Sequence, residues 1–156
     1  MAKLGLAQLA QLAEVVAAVA VVFSLVYVGR ELGANTAAVR GSTLQSVTGM
    51  QGEILLLQAS DSTLNRIRYL GDRDPSLLTE LEANRYRLLL RQTWVNLQNV
   101  YFQQDLDLID PRAWAVYHRT ICGIWSSEGP RQTWTTHAHR EVLDSAFVRL
   151  VESCPR

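Results

Sequence analysis

His118 and Cys122 stand four residues apart, one helical turn, and His137-x-His139 with Glu141 follows within twenty residues. Imidazole and thiolate are zinc ligands, but a zinc site needs three or four converging donors. No HExxH, CxxC or similar tight spacing supplies them. His118 is flanked by Trp114, Tyr117 and Ile121, which reads as a hydrogen-bonded residue at a core edge. Cys122 reads as a small apolar core residue. No metal and no cofactor is expected. Asp105, Asp107 and Asp110 cluster between two helical patterns. They lack the central Gly and closing Glu of a calcium loop and read as helix caps. No nucleophile elbow, P-loop or glycine-rich phosphate loop is present. No catalytic set emerges, and the chain is not expected to be an enzyme.

Two further groups could carry binding chemistry. Asn84, Arg85, Gln92, Asn96, Gln98, Asn99 and Gln103 interrupt an otherwise apolar helical pattern. Buried polar groups must be paired, so these would form a network, line a pocket or face solvent. Arg85, Arg91 and Asn99 are the pocket candidates. Glu14 is the only charge between Leu4 and Gly29. A carboxylate within a membrane segment is costly and therefore a candidate polar site, but a place near the interface is the favoured reading.

The elements that would position these groups follow from hydropathy. The run Leu4 to Gly29 is long enough for the ~20 apolar residues that cross a bilayer. It exceeds the apolar stretch of a signal peptide and has only Lys3 ahead of it. A single-pass anchor over residues 1–30 is expected, with the soluble part assigned to the cytoplasm on weakly asymmetric flanking charge. Along the anchor Ala13, Ala17, Ala20 and Ser24 recur at threes and fours, and Gly29-x-x-x-Gly33 continues the small residues. Small residues let helix backbones approach closely in lipid, so this is read as a self-association face.

No proline precedes Pro75, so the helix is expected to leave the membrane and extend over residues 31–59, weakened near Gly29 and Gly33. A bundle over 60–156 should pack against it. Ser60-Asp61-Ser62 offers an N-cap for a short helix through Leu70, with a turn from Gly71 to Pro75. Ser76 or Thr79 starts the next helix, Thr79 having the capping-box spacing with Glu82; it runs to about Gln104 and is apolar over most of its circumference. Asp110-Pro111 opens the next helix, Glu128-Gly129-Pro130 begins a short piece bearing Trp134, and a last helix starts near His139. The fold class is all-α: one N-terminal transmembrane helix continuing into a small antiparallel helical bundle.

Charge is balanced at 15 basic and 15 acidic residues, which gives no reason to expect nucleic-acid binding. Two cysteines are too few for a disulfide framework. One bridge and two free thiols are both open readings.

The order of features resembles a family of uncharacterised small bacterial proteins with an N-terminal membrane helix and a helical domain. The residues that carry the likeness are Phe23 to Val28, Asn35-Thr36 with Arg40, and Tyr86 to Arg91. Asn99 to Gln103, Leu108 to Asp110 with Trp114, and Gly129-Pro130 with Trp134 complete it. The family often has an acidic residue where this chain has Gln98. The resemblance implies an anchored helical domain and no specific activity. The partners expected are the lipid bilayer and either a second copy of the chain or another membrane protein. The leading expectation is an interaction module at the membrane, and the alternative is a tethered ligand-binding sensory domain. A metal-dependent enzyme is the least favoured reading.

Overall fold

The computed structural model describes residues 5–135 and 140–155. Every regular element among them is helical. The chain divides into two compact units, residues 1–41 and 42–156, and the boundary falls inside one long helix, α1 (Leu6–Ser60). Helical assignment runs unbroken through Gly29 and Gly33, so the expected weakening there does not end the helix. In the first unit every described side chain from residue 8 onward is exposed. Its apolar surface is long enough to be a candidate membrane span.

The second unit begins with the last turns of α1. Only Val47 of that segment is fully buried. The segment 31–41 belongs to the first unit and is exposed throughout. Helix α2 (Ser62–Arg73) is capped by Asp61, whose carboxylate accepts from the amides of Thr63 and Leu64. It runs past Leu70 through Gly71 and Asp72, where a turn was expected. Asp74 then caps a single 3-10 turn, Pro75–Leu77.

Helix α3 (Glu80–Asp105) opens on a complete capping box, Thr79 with Glu82. Tyr86, Leu90, Trp94, Leu97 and Val100 form its buried face. The remainder is not enclosed: Leu81, Leu88, Val95 and Phe102, spaced by sevens, are exposed. The all-round burial inferred from composition is therefore corrected to one stripe. A heptad row drifts only ~20° per repeat on a helix, which keeps these four residues together on the outer side.

Helix α4 (Pro111–Ser126) carries Asp110 as cap and buries Tyr117, Ile121 and Trp125. Helix α5 (Glu128–Thr135) contributes Trp134, and α6 (Ser145–Glu152), capped by Asp144, buries Phe147, Val148 and Val151. The last helix thus begins six residues after His139, following a 3-10 turn at Arg140–Val142. Asp144 wins the start because its side chain satisfies the amides of Ala146 and Phe147. Trp94 and Trp134 meet edge-to-face at 5.1 Å between centroids, and Trp125 meets Trp134 at 5.7 Å. This indole cluster joins α3, α4 and α5 at the centre of the core.

Candidate functional site

A half-open groove of about 370 Å³ lies among the C-terminal turns of α1, α2, α3 and α4. Ile54, Leu55, Leu97 and Ile124 supply apolar walls, and Arg68, Asp72 and Asn96 are the polar groups set among them. Their positions follow from helix geometry. Arg68 and Asp72 are one turn apart on α2, so the guanidinium Nε donates to Asp72 Oδ2 at 2.7 Å. The Tyr86 hydroxyl of α3 donates to the other carboxylate oxygen at 2.8 Å. Burial, and then the adjacent Asp72 charge, push the Tyr86 hydroxyl far above its ordinary pKa. Tyr86 therefore stays a neutral donor, and Asp72 has a partner on each oxygen.

Arg68 keeps more capacity. Its side chain is only 18% exposed, and among the described residues its bond to Asp72 uses Nε alone. The two terminal nitrogens are a fork suited to a planar carboxylate or amide oxygen pair. Asn96 is 7% exposed. Its Oδ1 accepts from Gln92 Nε2 at 3.0 Å, whereas its Nδ2 is buried with no partner among the described residues. An unsatisfied buried donor costs ~1–3 kcal/mol and calls for an explanation. Thr93 and Thr120 also line the groove, and both hydroxyl protons are committed to backbone carbonyls one turn back. They present acceptor lone pairs only.

The expected pocket residues lie elsewhere. Arg85 and Arg91 are exposed and do not line this groove. Asn99 lines a separate polar depression of about 210 Å³ with Thr43, Ser46 and Gln103, and accepts from Gln103. The three are not brought together. Gln92 and Asn96 were among the polar residues singled out in α3, and they are bonded to each other at the groove; the missed signal was the Arg68–Asp72 pair, four residues apart and legible as a helix-surface contact.

A second cluster surrounds Cys122. Its sulfur is joined to Cys154, across 32 residues of chain, with Cα atoms 5.2 Å apart. That separation is ordinary for a disulfide. His118 Nε2 lies 4.0 Å from Cys122 Sγ, and the donor atoms of His118, Cys122 and Cys154 all fall within 4.8 Å of one another. Cys154 is the third residue that the His118–Cys122 spacing lacked. Sulfurs bonded to each other are not thiolates and do not ligate zinc, so the arrangement as it stands is a covalent staple between α4 and the end of α6. His137 and His139 lie outside the described residues, and Glu141 is exposed.

The membrane-segment candidates all sit on exposed helix. Ala13, Ala17, Ala20 and Ser24 share one side of α1, and Glu14 is exposed beside them. A Cβ added at Gly29 or Gly33 would meet nothing within 4 Å. The small residues do not form one stripe, however. Ser24 to Gly29 is a step of five, which turns an α-helix by about 140°. Because α1 is continuous there, Gly29 and Gly33 face away from Ala13 to Ser24. The single association face inferred from spacing is corrected to two.

Comparison with known proteins finds no matching family model, no curated relative and no solved structure.

Proposed function

We propose that the chain is a membrane-anchored helical module whose domain, residues 42–156, binds a small molecule in the groove beside Arg68 and Asn96. The observation that carries this reading is the Arg68 fork, held by Asp72 at one nitrogen and, among the described residues, unbonded at the others, in an apolar-walled groove. Groove volume falls at the lower end of the ~300–1,000 Å³ common to ligand sites. The mixture of apolar wall with a few oriented polar groups is what such sites use for affinity and orientation. The reading is one of binding rather than turnover, because Asp72, Thr93 and Thr120 are committed to neighbours, which leaves hydrogen-bonding groups at the groove rather than a free base or nucleophile.

A carboxylate on an apolar body fits this chemistry, and 3-phenylpropanoate is a suitable probe, with 3-phenylpropylamine as the control. Titration of the full chain in detergent should give saturable binding of the acid and none of the amine. Arg68→Gln should weaken the acid at least tenfold. Equal binding of acid and amine, or none of either, would remove the groove from consideration.

A second reading has its own observation. The exposed run of α1 with open glycines at 29 and 33 supports association with a second copy within the bilayer.

A further inference from the structure

The cysteine pair bears on which side of the membrane the domain occupies. Both cysteines of the chain are consumed in one bond, and no free cysteine exists among the described residues. The bond is not a surface clip. Cys154 is buried, and Cys122 packs against the core that contains Ile121 and Val151. It links α4 to the tail of α6, and α6 is only eight residues long. A helix that short is marginal without tertiary anchoring, so the bond secures the last element of the fold.

Disulfides form and persist in oxidising compartments, whereas cytosolic thiols are kept reduced. Flanking charge opposes an oxidising location only weakly. Lys3 precedes the apolar run, and Arg30 and Arg40 follow it. Acidic residues contribute little to topology, so the flanks differ by a single positive charge and the sulfur chemistry outweighs it.

We infer that residues 42–156 reside outside the reducing cytoplasm, closed by the Cys122–Cys154 bond, with the residues ahead of the apolar run on the cytoplasmic side. This reverses the cytoplasmic assignment drawn from the flanks alone. Forming the bond removes two protons and two electrons from the two thiols. An oxidised dithiol carrier of that compartment accepts both and becomes its own dithiol. The groove, on the binding role proposed above, would then sample solutes outside the cytoplasm. The sidedness rests on the membrane reading of α1, and the thiol state does not.

The test separates these two parts. The full chain, expressed in a bacterial host, is acid-quenched in whole cells. It is unfolded in SDS, so that burial cannot shield sulfur, and treated with a maleimide–polyethylene glycol. The expected result is no adduct before reduction and two after it. In parallel, protease added to spheroplasts should digest the domain without lysis. Two adducts without prior reduction would overturn the inference. Should one zinc per chain accompany those free thiols, His118, Cys122 and Cys154 would instead be its ligands. Protection from protease in intact spheroplasts, with the disulfide formed, would overturn the sidedness alone.

Discussion

A Cβ on Gly129 would stand 1.7 Å from the carbonyl oxygen of Gly71. The first turn of α5 therefore lies directly on the last turn of α2, backbone against backbone. Tyr86 closes the contact from α3, since a Cβ on Gly71 would come within 2.5 Å of its ring. This packing holds Asp72 where Tyr86 and Arg68 reach it.

Moving a side chain cannot relieve Gly129→Ala, because the nearest obstructing atoms, the Gly71 carbonyl oxygen and carbon, are backbone. The two helices must separate, and overpacking of this kind costs ~1–3 kcal/mol or more. Gly123 provides the contrast. It lies within α4, and a Cβ there meets nothing within 4 Å. Gly123→Ala should stabilise by ~0.5–1 kcal/mol through helix propensity. Thermal unfolding of the two variants in detergent should move in opposite directions from wild type.

Cys122→Ser and Cys154→Ser should each destabilise the domain by about 3–4 kcal/mol. That is the chain-entropy expectation for a loop between 15 and 100 residues, and the two cysteines are 32 apart. Denaturant midpoints of the oxidised protein, each variant and the reduced wild type should place the last three together. A reduced wild type as stable as the oxidised form would contradict it.

Asn96→Leu tests the orphaned amide. Gln92 is exposed and can turn to water once its acceptor is gone, so the substitution removes a buried unsatisfied donor and leaves none behind. Stability should stay level or rise by about 1 kcal/mol, read from the same denaturant midpoints. A loss of several kcal/mol would mean that the Asn96 amide has a partner in solution.

Most elements were legible because their boundaries are written in local chemistry. Asp61, Thr79 with Glu82, and Asp110-Pro111 each satisfy orphan amides within three residues of their own position. The helix continuing past Leu70 was not legible. Gly71 and Asp72 read as a turn by composition, and only the approach of Gly129 and the hydroxyl of Tyr86, from 58 and 14 residues away, give them helical roles. The groove was hidden for the same reason. Arg68 on α2, Asn96 on α3 and Ile54 on α1 converge through packing that no local pattern encodes. Cys154 likewise meets Cys122 only after α6 docks.

Glu82 sets part of the acid limit of stability. Its carboxylate accepts from the Thr79 amide and from the Thr79 hydroxyl, each at 2.9 Å, and pairs with Arg66. Those contacts, the amide first, hold its pKa below the ordinary glutamate range. A lowered folded-state pKa adds stability above the unfolded value, about 4.3, and that stability is lost as pH falls through the folded value. Asp74, held by Ser76, and Glu128, held by Gln132 and Arg131, carry the same sign. Melting temperature should be level from pH 7 to about 5 and fall below about 4. Glu82→Gln should be less stable than wild type at pH 7, with the difference shrinking toward pH 3.

Association through α1 makes a sharper prediction now that the small residues are divided. Gly29 and Gly33 lie about 140° or more around the helix from the Ser24 side, so one dimer contact cannot use both sets. Only glycine allows backbones to approach fully, and both glycines are open to a partner. Gly33→Leu should therefore reduce the crosslinked dimer in membranes about tenfold, equivalent to ~1.4 kcal/mol of contact. Ala17→Leu, on the opposite side, should leave it unchanged. Reversed sensitivities would move the contact to the Ala13–Ser24 side. A chain that is monomeric in both forms would remove α1 as an association surface.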